Sequence, residues 1–489
     1  MSKLKKIAAA SLLSLLVVLF AAWKTDYFEI SKHLDIFVSV VKEVDSYYVD
    51  EINIQNLIRT GIDAMLESLD PYSIYISESQ VEDFRVQTTG EYGGIGAAID
   101  KKGPYFQITE TYKEYSAFDA GLRPGDIILK IDNKSIEDRN SGEVSDLLKG
   151  QPGSDITLTI RRPGTSEPFD RTLIRKEVHV ENVPYYGLVD KGIGYVKFES
   201  FRQNGADDVK NALKELKKES ELEGVVLDLR DNPGGLLLEA VKIVNLFVNK
   251  GQMVVNTKGK IEKWQEEYRT YVDPFDVNIP VVVLINENSA SASEIVSGAL
   301  QDLDRGVIVG RKSFGKGLVQ NQMDLPFNAK MRLTVAKYYI PSGRCIQALD
   351  YSKKDSKGKA VKVIDSVGRA FKTKNGRTVY DGEGITPDVT VVKEENPQVL
   401  RELYSKHALF DYATFYRNTN DTLNPPDDFS IDEDLYKSFR DYLKNENFSY
   451  KSKEELKLKE VRTLAEKSGK IKMIEEDLNE LESVLELSK

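Results

Sequence analysis

The chain has one cysteine, Cys345, in 489 residues, which excludes an intramolecular disulfide framework and leaves the redox compartment undecided. Histidine is almost as scarce. His33, His179 and His407 are the only three, and none lies near the serine-rich stretch described below. That scarcity counts against a histidine base working on one of those serines. No long basic patch offsets the formal net charge of -10, so nucleic acid is not an expected partner. The sequence also lacks a long internal repeat, an extended low-complexity tract and any group of residues that suggests a bound metal or organic cofactor.

What is present begins at the N-terminus. Lys3, Lys5 and Lys6 precede an uncharged run from Ile7 to Trp23 that ends at Lys24. A basic region followed by an apolar segment is the layout of a secretory signal or a short membrane anchor. The end of the run, Leu19-Phe-Ala-Ala-Trp23, makes a poor small-x-small cleavage site. The expectation is an uncleaved anchor in residues 1–24. It places Lys24 onward outside the inner membrane, in the cell envelope or periplasm, held there by residues 7–23.

The helical spacing of Ile30, Leu34, Phe37, Val41 and Val44 predicts an amphipathic helix over 30–48, and Ile54 to Leu69 predicts a second, stopped by Asp70-Pro71. From about Gly90 the pattern turns to short strands. Gly93-Gly-Ile-Gly96 opens a strand through Ile99, and others fit Tyr105 to Thr109, Asp126 to Ile131 and Ile156 to Arg161, with a helix at Ser141 to Leu148. Arg162-Pro-Gly164 reads as a turn and a domain edge. Residues 88–165 resemble a PDZ domain. By that resemblance, backbone N–H groups of Gly93, Gly94, Ile95 and Gly96 take a peptide's terminal carboxylate, and the adjacent strand edge pairs with the peptide. Leu147 or Leu148 then lines the pocket for its last side chain.

Residues 184–395 alternate strands and helices, which is α/β architecture with functional turns at strand ends. Gly224 to Arg230 and Pro280 to Ile285 are buried-strand patterns, and Asp231-Asn-Pro-Gly-Gly235 is a turn into a helix. The serine cluster Asn288-Ser-Ala-Ser-Ala-Ser-Glu294 follows the second strand at an expected helix start. Exposed N–H groups and a partial positive charge there suit an oxyanion. Serine needs a base, and a buried lysine held neutral can be one. Lys316 in Ser313-Phe-Gly-Lys-Gly317 is the candidate. The surrounding Gly310-Arg-Lys-Ser-Phe-Gly-Lys-Gly317 mimics a phosphate-binding P-loop, but Gly317 stands where that loop needs Ser or Thr.

These motifs, with Leu69-Asp-Pro-Tyr-Ser73, Leu227 to Leu236, Tyr339-Ile-Pro-Ser-Gly-Arg344 and Gly384-Ile-Thr-Pro-Asp388, resemble the carboxyl-terminal processing (tail-specific) proteases. The resemblance implies a multidomain α/β fold: anchor 1–24, N-terminal helical region 25–87, PDZ domain 88–165, a crotonase/Clp-like serine protease core 166–395, and a charged helical extension 396–489 outside the resemblance. It implies Ser291 as nucleophile, Lys316 as base and Gln320 as orienting residue. Gln320 lies four residues on, within reach of Lys316 if the segment is helical. The oxyanion hole falls on Ala292 with Gly234 or Gly235, a choice sequence leaves open. Tyr72, where relatives often carry histidine, and Cys345 are assigned no catalytic role. The expected function is endopeptidase cleavage of proteins recognised by their C-terminal tails, without metal or cofactor; the alternative is a catalytically silent PDZ-type scaffold. The stripe Ile474, Leu478, Leu481 and Leu485 suits packing on the protein itself or on a partner helix, which is compatible with a homo-oligomer.

Overall fold

A computed structural model describes residues 27–356, 358–362, 368–393, 397–420, 422–425 and 428–487. The basic-apolar segment ending at Trp23 lies outside the described residues. Among those described, no helix is long and apolar enough to cross a membrane.

The centre of the molecule is a six-stranded sheet. Its strands run Tyr185–Asp190, Ile193–Lys197, Gly224–Asp228, Val281–Ile285, Val307–Gly310 and Val389–Thr390 in spatial as well as chain order. The first pair is an antiparallel hairpin and the rest are parallel. Parallel strands need crossovers; the helices Gly205–Glu219, Leu237–Phe247 and Ala292–Asp302 supply the first three, and the last runs through strands between 311 and 388. Strands covered on both faces explain the unbroken Val/Leu/Ile runs. Val283, Ile285, Val296 and Ala299 are all inaccessible to solvent in one core, and each fully buried Val or Ile contributes about 1.5–3 kcal/mol.

A second, antiparallel sheet was not foreseen from the sequence. It joins Ile74–Ile76, Lys330–Tyr339, Met253–Gly259 and Glu267–Arg269, with Leu318–Asp324 paired to Lys330–Tyr339. Its partners are up to about 260 residues apart in the chain (Ile74 opposite Arg332), so no local pattern marks the pairing.

The PDZ segment has its own core around Phe106, Ile108, Ile128 and Leu158. Its strands Ala97–Lys102, Tyr105–Thr111, Ile127–Ile131 and Asp155–Arg161 and its helix Ser141–Leu148 fall where the sequence places them. The edge at 165 does not hold. Phe169–Ile174 pairs with Asp155–Arg161 along its whole length, so Arg162-Pro-Gly164 is a hairpin turn within the sheet. Lys176–His179 then pairs with Glu91–Gly94 and closes the domain's base. Gly93 and Gly94 therefore sit in a ladder, and only Ile95 and Gly96 form the turn ahead of Ala97.

The C-terminal region is helical, as expected: Gln398–Ser405, Ala408–Thr419, Glu433–Asn445, Lys453–Lys467 and Ile471–Leu487. Lys102 pairs with Asp411, and Gln107 reaches His407, so the second of these helices rests on the PDZ sheet. Leu478 is buried, while Leu481 of the same stripe stays half exposed.

Candidate active site

Two loops at the carboxyl ends of neighbouring parallel strands are laced together. Asp231 Oδ1 accepts from Asn286 Nδ2 at 2.9 Å and Asn288 Nδ2 at 2.8 Å. The Ala290 N–H and Ser293 hydroxyl both donate to the Asn232 carbonyl, and Ser289 donates to Leu229 O. Ser289 and Ser293 are thus spent on the scaffold. Ser291 is not. It caps the helix Ala292–Asp302 at φ 56° and ψ -113°, outside the regions an L-residue ordinarily occupies. Such strain costs about 1–3 kcal/mol and persists only where the surroundings enforce it.

Gly234 lies against this cap. A Cβ there would come within 2.7–2.9 Å of Ala290 O, Ala292 N and the Ser291 Cβ. Gly234 N–H is consumed by Asn232 Oδ1 at 2.9 Å. Gly235 N–H and Ala292 N–H, by contrast, make no hydrogen bond among the described residues. The two free donors flank the serine.

One carboxylate ties the Ser291 and Lys316 segments together. Glu294, fully buried, takes the Ser291 N–H (2.8 Å) and Lys316 N–H (2.9 Å) on Oε2, and the Gly315 N–H (2.7 Å) and Ser313 hydroxyl (2.5 Å) on Oε1. Burial pushes its pKa up, and the four donors oppose that rise. The P-loop look-alike is explained here: its N–H groups do hold an anion, and the anion is the chain's own Glu294. Tyr338 adds a second tie, its buried hydroxyl facing the carbonyls of both Ser291 and Lys316. Glu294 could have been suspected from its position three residues after a helix-capping serine. Tyr338 has no local signal.

Lys316 Nζ forms no ion pair or hydrogen bond among the described residues. It sits 4.1 Å from the centroid of the Tyr72 ring, at the head of the strand Leu318–Asp324. Burial, helped by the positive charge of Arg332, pushes its pKa down to about 8, against the pull of Glu294 and Asp70. Tyr72, assigned no catalytic role from the sequence, therefore walls the lysine. The Leu69–Ser73 motif places it: Asp70 Oδ1 accepts from the N–H groups of Tyr72 and Ser73. Cys345, away from the cleft lining, is half-buried with its thiol pKa raised by burial.

Ser291, Ala292, Lys316, Gln320, Gly234 and Gly235 all line one cleft of about 640 Å³. The helical reading of Lys316 to Gln320 fails, because Gln320 belongs to a β-strand. Its Nε2 is bound at 3.2 Å to Thr334 Oγ1 on the paired strand. A register shift between Val319 and Gln320 accompanies this placement.

Gly93–Gly96 lie apart from the cleft. Ile95 N–H and Gly96 N–H have no hydrogen-bond partner among the described residues, and the strand Ala97–Lys102 ends its sheet with one side unpaired. The helix Val81–Thr89 connects the two places. Its Phe84, Gln87 and Thr88 line the cleft, and Gly90 leads straight into the Glu91–Gly94 strand.

An α/β core that holds a strained serine at a helix tip in one cleft with a half-buried, unpaired lysine, joined to a PDZ domain through the helix Val81–Thr89, defines a serine-type peptidase. Residues 192–353 match the family model described as peptidase family S41, 107–162 the PDZ domain, and 399–489 the model described as "Probable PDZ-protease, C-terminal helical domain". The carboxy-terminal-processing protease of Bartonella bacilliformis is 39% identical over 321 residues, covering 65% of this chain and 73% of that protein. A "Probable CtpA-like serine protease" of Staphylococcus aureus is 36% identical over 327 residues, covering 66% of this chain and 64% of its own length. Among solved structures, a photosystem II D1 C-terminal processing protease is similar at 26% identity and a TM-score of 0.38, covering 73% of this chain and 92% of that one. The chain belongs to the carboxy-terminal-processing protease family.

Proposed function

We propose that the protein is an exported endopeptidase that hydrolyses polypeptides by acyl transfer with a Ser291–Lys316 dyad, after its PDZ domain has captured the substrate's C-terminal tail. The observation that carries the reading is the unpaired, half-buried Lys316 in the same cleft as the strained Ser291. A silent scaffold would gain nothing from either.

Neutral Lys316 takes the Ser291 hydroxyl proton as Oγ attacks the peptide carbonyl carbon. The oxyanion that forms is met by the Ala292 and Gly235 N–H groups, the two donors the scaffold leaves free; Gly234, already bonded to Asn232, drops out of that role. As the C–N bond breaks, the lysine ammonium returns the proton to the leaving amine. Water then attacks the acyl-enzyme carbonyl, losing a proton to Lys316, and as the bond to Ser291 Oγ breaks the lysine ammonium returns that proton to Oγ. Gln320, fixed by Thr334, orients the amine without adding a counter-charge that would raise its pKa. Ile95 and Gly96 N–H groups receive the tail's carboxylate, and the open edge of Ala97–Lys102 pairs with its backbone. Residues 7–23 anchor the chain to the inner membrane with the catalytic part in the envelope. The substrates are proteins with accessible C-terminal tails.

Labelling of Ser291 by a fluorophosphonate tests the nucleophile directly. The base is tested by pH. Protonated Lys316 is inactive, so kcat/KM should climb about tenfold per pH unit below about 8 and level off above it. The limb should survive joint replacement of His33, His179 and His407, none of which lines the cleft. Loss of the limb in a folded triple variant would make a histidine the base.

Capture is tested by amidating the substrate's C-terminus. Losing the carboxylate should lower kcat/KM of a tail-dependent substrate about tenfold. Equal rates for acid and amide would leave the PDZ turn without this task.

A further inference from the structure

Two cations of the cleft take no part in the proton transfers described above. Arg202 and Arg332 line the same cavity as Ser291 and Lys316. Arg202 makes no side-chain hydrogen bond or ion pair among the described residues, and its Nη1 is buried with no partner. Burial lowers its pKa, and the opposing influence comes from the exposed Glu199. Arg332 donates Nε to the Tyr72 carbonyl at 3.3 Å, and the rest of its guanidinium has no hydrogen-bond partner among the described residues. Burial lowers its pKa too.

Guanidinium groups withdrawn from water are costly unless paired, and elsewhere this fold pairs them. Arg175 donates to the carbonyls of Leu147, Leu148 and Asp155 and to the Ser154 hydroxyl. Arg305 donates to the carbonyls of Phe247, Asp276 and Ile279. The two cleft arginines are the contrast, and their positions are informative. Phe201, next to Arg202, exchanges backbone hydrogen bonds with Gly234 and Leu236, so Arg202 borders the oxyanion turn. Arg332 stands two residues before Thr334, the anchor of Gln320, and close enough to Lys316 to depress its pKa.

We infer that Arg202 and Arg332 form a carboxylate-binding subsite inside the cleft, so that hydrolysis favours peptides carrying a carboxylate close to the scissile bond. This deepens the peptidase reading and rests on it. The carboxylate is either an acidic side chain or the free α-carboxylate of a nearby chain end. Both match the planar, bidentate geometry a guanidinium prefers.

The test uses the full chain and two peptide series. In the first, C-terminally amidated peptides carry Glu or Gln at each position around the cleaved bond, which removes PDZ capture from the comparison. In the second, neutral peptides end as acid or amide at increasing distance from the bond. One position, in one series, should show a kcat/KM advantage of about 10- to 100-fold for the carboxylate. The advantage should shrink toward unity in Arg202→Gln and Arg332→Gln and be partly kept in Arg202→Lys. A flat scan of both series with the unaltered protein overturns the subsite and needs no variant to fold. So does a preference that persists in the folded double Gln variant. If no peptide is cleaved and Ser291 resists fluorophosphonate, the peptidase reading itself fails, a result distinct from cleavage with a flat scan.

Discussion

Ser291→Ala should lower kcat/KM for an unfolded protein substrate by about 10⁴-fold or more, and Lys316→Ala should do the same, with far-ultraviolet circular dichroism unchanged. The two losses should not add, because nucleophile and base act as one unit. Lys316→Arg should not rescue, since guanidinium stays protonated and cannot accept the serine proton. Lys316→Met separates loss of chemistry from loss of fold. The lysine pKa is about 8 in the folded protein and about 10.4 in an unfolded chain, so between those values the unfolded state binds more protons. Stability of the unaltered protein should therefore rise with pH across that window and carry its full penalty below about 8. At pH 7, Lys316→Met should resist urea better than the parent by about 1–3 kcal/mol while being inactive. A less stable Lys316→Met would contradict the burial argument. Near-normal turnover in any of these variants would remove the dyad.

Glu294→Ala should be the most damaging change outside the dyad. It would strand four donors, the N–H groups of Ser291, Gly315 and Lys316 and the Ser313 hydroxyl, around a fully buried position. Each buried donor without an acceptor costs about 1–3 kcal/mol, and a net loss of about 3–5 kcal/mol is expected after relaxation. Activity should fall at least about 100-fold, because a misplacement of 1 Å at a catalytic group already costs that much. Glu294→Gln keeps the shape but turns one acceptor into a donor facing donors, so it should fall between the parent and Glu294→Ala. Equilibrium denaturation and kcat/KM on the same samples check both. Unchanged activity in Glu294→Ala would mean that the carboxylate does not hold the dyad in place.

Local signals carried much of the architecture. The strands Gly224–Asp228, Val281–Ile285 and Val307–Gly310 are continuous apolar runs bounded by Gly, Pro and Asn. The PDZ strands alternate, and the helix at Ser141 has its Asn140 cap. Serine at a helix start and lysine beside glycine were both visible, as was Glu294 within the motif. The antiparallel sheet, and with it the strand that carries Gln320, was not. Register across distant segments is decided by which apolar faces can be buried together, and no window of sequence contains both partners. The edge at Arg162-Pro-Gly164 misled for a related reason, since a hairpin turn and a domain boundary use the same residues.

The sequence by itself determined the order of modules, the buried parallel strands and the motifs that carry Ser291 and Lys316, because these rest on short-range periodicity and on short runs of residues that lie together in the chain. Only the tertiary structure decided which glycine keeps a free N–H, that Tyr72 walls the lysine, and that Arg202 and Arg332 line the cleft with no carboxylate among the described residues paired to either. Free donors, low-dielectric surroundings and unpaired charges are properties of what surrounds a group in space. The chain brings those surroundings together from segments as far apart as Tyr72 and Arg332 only when it folds.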